Sequence, residues 1–225
     1  MPPLLFKKLN FVEMATTLQL YNTTQYLINK YDGSFLSHEE FLEAYNMAST
    51  DYFNYLIDMS YAVMSRNNIY STPTNADNQT SESLSPFVVN ETLLASPYNK
   101  PADYARAIYL KLGYNNSAQN VSKFGQRIEL TVLDSKLYSD IDAPIADDPA
   151  FIEVDGKFLV YPVTPTGVWL TYYKKPVRRA TVDGTVVEWA DNKINNVLFR
   201  VLGYLGINLK DPSLIQFGNV KKAEA

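Results

Sequence analysis

Residues 150–161 read Ala150-Phe151-Ile152-Glu153-Val154-Asp155-Gly156-Lys157-Phe158-Leu159-Val160-Tyr161. Two apolar-rich runs flank Asp155-Gly156. A two-residue type I′ turn needs positive φ at both central positions, which Asp and Gly tolerate, so the stretch predicts a β-hairpin. Downstream, Pro162 to Gly167 makes another turn, and Val168-Trp169-Leu170-Thr171-Tyr172-Tyr173 reads as a third strand. A second pair, Asp183-Gly184, lies between Ala180-Thr181-Val182 and Thr185-Val186-Val187 and predicts a second hairpin. Consecutive hairpins add up to an antiparallel β-meander. Upstream, Arg127 to Val132 alternates polar and apolar residues as a strand does, and a short helix is expected around Ser135–Tyr138.

Helical signals surround this β region. Phe11, Met14, Leu18, Tyr21 and Ile28 share one helical face, and Asp32-Gly33 breaks that helix. Ser37-His38-Glu39-Glu40 is a capping box that opens a second helix. Along it Phe41, Tyr45, Ala48, Tyr52, Tyr55, Met59 and Ala62 step 4-3-4-3-4-3, an a/d seam. Residues 1–65 therefore read as an antiparallel helical hairpin. Tyrosine in place of leucine on the seam suits a buried but partly polar face such as a subunit contact, which makes Tyr45, Tyr52 and Tyr55 candidate interface residues. Pro101 to Gly113 predicts a short helix with Ala105, Ile108, Tyr109 and Leu112 on one side. A last helix starts near Asp191, carries Ile194, Val197, Leu198, Val201 and Leu205 as its stripe, and stops at Gly206. Asp211-Pro212 starts a short turn, and 219–225 is a polar tail.

Residues 66–100 are rich in Asn, Ser, Thr and Pro around one apolar patch, Phe87-Val88-Val89, flanked by Pro86 and Pro97. A polar segment of this length reads as an extended arm or loop, and the patch as a docking knot that orders on another surface, with Phe87 and Val88 at its centre. The fold class expected is α+β: an N-terminal helical hairpin, a long arm, and residues 101–218 as a helix, an antiparallel meander and a C-terminal helix that form one compact domain with the hairpin.

The chain has 225 residues, 46% of them apolar and 20% charged, enough to bury a core without staples. It has no cysteine and one histidine, His38, which excludes a disulfide framework, thiolate zinc sites, a cysteine nucleophile and any two-histidine metal site. The formal net charge of −4 argues against a generic nucleic-acid binder. Residues 1–150 hold 10 Lys/Arg against 17 Asp/Glu, whereas 151–225 hold 10 against 7. A two-signed chain favours head-to-tail association between copies. The start, Met1-Pro2-Pro3-Leu4-Leu5-Phe6-Lys7-Lys8, lacks a signal-peptide pattern, and no apolar run is long enough to span a membrane.

Several constellations bear on chemistry. Asp140, Asp142, Asp147 and Asp148 could hold Mg²⁺ or Ca²⁺, but EF-hand spacing is absent and a solvated acidic loop is the preferred reading; a metal-dependent hydrolase is the corresponding rival. Trp169, Tyr172, Tyr173 and Tyr161 could form a stacking platform for sugars or single-stranded nucleic acid, although strand alternation splits Trp169 from Tyr172. A carbohydrate-binding β-protein using Trp169 and Tyr172 is thus the alternative function. Lys174, Lys175, Arg178 and Arg179 suit a phosphate, an acidic patch on a partner, or a solvated turn. Neither a nucleophile elbow nor a phosphate-binding glycine loop occurs, so no enzyme, cofactor or metal is expected.

The segment from Arg127 to about Lys210 resembles head–tail connector or neck ring proteins of tailed bacteriophages, in particular virion structural proteins of crAss-like phages. The residues that carry this are Gln126-Arg127-Ile128-Glu129-Leu130, the loop Asp142-Ala143-Pro144 to Pro149, Leu159-Val160-Tyr161-Pro162, Val168-Trp169-Leu170-Thr171-Tyr172-Tyr173-Lys174-Lys175-Pro176, and Glu188-Trp189 leading into a helix. The resemblance covers roughly 85 residues well and the first 65 loosely. It implies a non-enzymatic component of the phage particle, made in the host cytoplasm. Its copies would form a ring, commonly twelve-fold, between the portal and other neck or tail proteins. Double-stranded DNA would pass through the ring without specific binding.

Overall fold

The computed structural model describes residues 15–31, 35–66, 75–94, 97–116 and 119–206. The fold is α+β and divides into two units, Phe87–Lys175 and the pair of segments Met1–Pro86 and Pro176–Ala225. The C-terminal helix belongs to the same unit as the N-terminal helices, and the sheets to the other. The helices among the described residues are α1 (Thr17–Tyr31), α2 (His38–Arg66), α3 (Asn75–Leu84), α4 (Leu133–Leu137) and α5 (Asp191–Tyr204). The strands are β1 (Val88–Leu93), β2 (Tyr98–Asn99), β3 (Tyr104–Asn116), β4 (Gln119–Phe124), β5 (Gln126–Arg127), β6 (Ala150–Val154), β7 (Lys157–Tyr161) and β8 (Gly167–Lys174).

In the β unit, the Asp155-Gly156 hairpin forms as expected. Its central residues have φ of 48° and 74°, and β6 pairs with β7 from Ala150↔Tyr161 to Val154↔Lys157. The meander does not continue. After Tyr161 the chain leaves this sheet, and β8 inserts between β1 and β3, giving sheets of order β1-β8-β3-β4 and β2-β7-β6-β5. The reason lies in burial. Phe151, Phe158 and Val160 from one sheet and Leu110, Leu112, Tyr114, Val168, Leu170 and Tyr172 from the other form one core, which requires two facing layers.

Two further expectations fail here. Residues 104–116 are a strand, not a helix. Leu110, Leu112 and Tyr114 alternate into the core, and pairing irregularities at 104/106 and 107/109 shift the upstream residues out of period two. Of Arg127–Val132 only Arg127 lies in a strand, the two-residue β5 parallel to β6, before a 3₁₀ turn at Leu130–Val132.

The expected arm is also built into the fold. Residues 75–84 are helical and 88–93 pair with β8 from Val88↔Tyr173 to Leu93↔Val168. Phe87 is fully buried, and Val89 packs on the core of the β unit. A Val-Val-x-x-Thr-Leu strand beside a buried phenylalanine buries enough apolar surface to offset its ordering. Residues 66–74 otherwise fall largely outside the described residues.

In the helical unit, α2 begins with the expected capping box. The Ser37 Oγ accepts the Glu40 amide at 3.2 Å, and the Glu40 carboxylate accepts the Ser37 amide at 3.0 Å. Phe41, Tyr45, Ala48 and Tyr52 are buried as the seam predicts, but Tyr55 and Met59 are exposed and Phe53, Leu56 and Ile57 replace them. A straight helix drifts about 20° per heptad from a strict seven-residue repeat, so later seam positions rotate outward. Ala62 lies outside the described side chains. On α1, Thr17, Leu20, Tyr21, Thr24 and Ile28 are buried and Leu18 is exposed; Phe11, Met14, Asp32 and Gly33 lie outside the described residues. Leu36 folds back along α1, its amide bonding Gln25 and its carbonyl accepting the Tyr21 hydroxyl.

The principal helical neighbour of α2 is α5, whose Ile194, Val197, Leu198, Val201 and Leu202 are buried as its sequence pattern predicts. Gly206, at φ 71°, ends that helix. The second Asp-Gly hairpin does not form. Instead the Asp183 and Thr185 carbonyls accept the amides of Leu18 and Thr17, which have no partner inside α1. Residues 211–212 and 219–225 lie outside the described residues.

Candidate functional site

The predicted site residues are divided between the two units. Tyr45 and Tyr52 are buried inside the helical unit, and burial pushes the Tyr45 phenol up to about 12. The Tyr52 hydroxyl accepts from Asn196 at 2.8 Å and its ring lies 5.0 Å from that of Trp189. Both therefore pack their own protomer and are not offered to a neighbour. Phe87 is corrected for the same reason. Tyr55 and Val88 are exposed.

Of the four cations, Lys174 and Lys175 belong to the β unit and Arg178 and Arg179 to the helical one. Lys174 ends β8, Lys175 is exposed and bonds Asp103 through its amide, and Arg178 is exposed. Arg179 is a structural residue: its guanidinium donates to the Val186 carbonyl at 2.7 Å and its main chain is held by Asn46. Trp169 is half exposed on one face of β8, while Tyr172 is buried on the other, where its hydroxyl donates to Asp103. The paired platform of the carbohydrate reading is thereby corrected: the two rings cannot stack on one ligand. His38 sits edge-on to Tyr21 at 4.5 Å in the first turn of α2. Among the described residues no three acidic or histidine side chains converge as a metal site, so the four aspartates of 140–148 do not gather.

What those aspartates decorate is a shaped loop. Residues 128–149 carry five exposed large apolar side chains, Leu130, Val132, Tyr138, Ile141 and Ile145; Tyr138 is 86% and Ile141 93% exposed. A merely solvated acidic loop would not present them. The loop is fixed from beneath. Leu133 packs against Ile128, Ala150 and Ile152, and Ala146 against the main β core. Its turns are held locally. The Ser139 Oγ accepts the amides of Ile141 and Asp142 at 3.2 and 2.9 Å, and Ile145 and Asp148 exchange main-chain bonds. Such a surface can bury apolar area against a partner at little ordering cost, since the backbone is already constrained. Tyr138 and Ile141 were readable as candidates, because large apolar residues interrupt an otherwise acidic, proline-bounded run.

A titratable cluster in the β unit was not anticipated either. The Glu153 carboxylate accepts from Lys100 at 2.7 Å and from the Tyr104 hydroxyl at 2.8 Å, with Arg127 at 3.4 Å. Burial favours its neutral form, but the bonds from Lys100 and Tyr104 and the nearby cations outweigh it and hold the carboxyl below its ordinary range. The Tyr104 phenol is pushed up by burial and by the Glu153 charge, and it also accepts the Ala107 amide at 2.7 Å. Both hydrogen bonds fall on Glu153 Oε2, whereas the buried Oε1 accepts no hydrogen bond among the described residues and faces Arg127 Nε at 3.4 Å; the cluster fastens β6 to the start of β3.

No protein-family model matches the chain, and no curated protein matches it.

Proposed function

We propose that this chain is a structural protein of a tailed-phage particle whose copies close into a ring in the head–tail connector, joining portal to tail and prolonging the DNA channel. The observation that carries the reading is the anchored loop 128–149, which presents Tyr138 and Ile141 within an acidic frame. An apolar, acidic projection seeks a partner surface that is partly apolar and basic, and residues 151–225 carry the basic surplus of this same chain. Contacts between unlike surfaces of identical copies are heterologous, the contact type that builds a ring when the rotation between copies closes. The net acidic charge suits a lumen that DNA slides through, because it does not grip phosphates. The resemblance of residues 127–210 to neck ring proteins supplies the setting: twelve copies, with portal and other neck or tail proteins as neighbours, in a non-enzymatic role. Electron microscopy of the purified full chain, alone and mixed with portal, tests this. Annular particles support it; dispersed single protomers in both samples overturn it.

A further inference from the structure

We propose that the outer face of the β1-β8-β3 layer is a binding site for an anionic pyranose glycan, with Trp169 as its stacking platform and Lys111 as its carboxylate partner. The proposal is independent of ring assembly. Strand register places Asn90 opposite Thr171, Thr92 opposite Trp169, Trp169 opposite Lys111 and Thr171 opposite Tyr109, so these six side chains share the face that points away from the core. They line a groove of about 200 Å³. Glu91 also borders it, but lies opposite core-facing Leu170, and its carboxylate comes within 3.5 Å of the buried Tyr172 hydroxyl, so it turns to the other face.

The indole is placed by two glycines. Gly113 and Gly167 pair across β3 and β8, and a Cβ on Gly167 would come within 2.6 Å of the Trp169 ring, on Gly113 within 3.1 Å. The six-membered ring therefore lies down on bare backbone, leaving Trp169 41% exposed above. A flat, immobilised aromatic face matches the C–H face of a pyranose, which stacks without needing rotamer ordering. Around it stand hydroxyls and an amide. Thr171 already donates to the Asn90 carbonyl oxygen, which orients the Asn90 amide N–H groups as donors. The Lys111 ammonium sits 6.0 Å from the indole centroid, so a carboxylate on the stacked sugar would pair with it. This charge selects a uronate over a neutral sugar.

The test is calorimetric titration of the full chain with tetragalacturonate, maltotetraose and oligo(dT). Tetragalacturonate is expected to bind, with maltotetraose and oligo(dT) weaker by about ten-fold or more. Trp169→Ala and Lys111→Ala should each lose about ten-fold. Gly167→Ala, which keeps every ligand-contacting side chain but lifts the indole, should weaken binding too. Melting curves monitored by circular dichroism identify any variant that fails to fold, and Trp169→Phe, a gentler change, should retain part of the affinity. Absence of tetragalacturonate binding, equal or tighter binding of maltotetraose or oligo(dT), or full affinity in folded Trp169→Ala overturns the proposal.

Discussion

The Asn46 side chain grips both main-chain polar groups of Arg179: its Nδ2 donates to the Arg179 carbonyl at 2.9 Å and its Oδ1 accepts the Arg179 amide at 2.8 Å. One carboxamide on α2 thus takes the place of a strand neighbour at Arg179, which lies outside any strand. Three residues on, Ser49 accepts the indole N–H of Trp189 at 2.8 Å, and one turn further Tyr52 accepts from Asn196. Polar residues at 46, 49 and 52 therefore fasten the 176–190 segment and α5 to α2, with Trp189 almost fully buried between them.

Asn46→Ala is expected to destabilise the helical unit by about 1–3 kcal/mol, because it leaves a partly buried N–H and C=O without their partner. Asn46→Asp should cost less, since it keeps an acceptor for the Arg179 amide. Urea unfolding followed by tryptophan fluorescence, with Trp189 in this unit, checks both.

Tyr52→Asp is expected to destabilise the same unit by more than about 3 kcal/mol, as a carboxylate replaces an aromatic ring among buried apolar neighbours. Tyr55→Asp, at a half-exposed ring that stacks on Tyr52 and lies beneath Arg200, should cost less, about 1 kcal/mol. The contrast, read by thermal melts of the two variants, separates internal packing from surface.

That contrast also marks how far the sequence could be read. The Asp155-Gly156 hairpin, the Ser37/Glu40 capping box and the α5 stripe were legible because each depends on contacts within a few residues. Tyr45 and Tyr52 were correctly placed on the buried face, but whether a buried tyrosine meets its own chain or another copy depends on what α5 and Trp189 supply from about 140 residues away. The strand at 104–116 was obscured by two register irregularities, although Leu110-Lys111-Leu112-Gly113-Tyr114 alternates plainly. The 180–187 hairpin failed because an Asp-Gly turn signal says nothing about whether the flanking residues have a better partner, here the amides of α1. Gly113 and Gly167 read as breaks; only the cross-strand placement of Trp169 shows them to be a bed for its ring.

Alternate amides of β1, those that face β8, are expected to exchange slowly in the free chain, because the strand, at the edge of its sheet, is paired with β8 along its whole length. Hydrogen exchange measured by mass spectrometry on the unassembled protein checks this. Rapid exchange there would restore the reading of 66–100 as an arm that orders only on a partner.

The β unit should lose stability in acid through Glu153. Its carboxyl is held below the ordinary value by Lys100, Tyr104 and Arg127, so its contribution is complete above the unfolded-state value of about 4.3 and declines as pH falls through the folded value. Glu153→Gln should lower stability at neutral pH and flatten this acid limb. Urea midpoints from pH 6 down to pH 3 for both proteins give the comparison.

Ring assembly as proposed requires loop 128–149 to be a contact between copies. Native mass spectrometry of the full chain, with and without portal, tests that directly when run beside the double variant Tyr138→Asp, Ile141→Asp. Both positions are exposed, so the variant protomer should fold; removing two apolar anchors worth about 2 kcal/mol each should dissolve the assembly. The account predicts a single closed oligomer for the unmodified chain and free, folded protomers for the variant. A monomer under every condition, or an oligomer that the double substitution leaves intact, contradicts it.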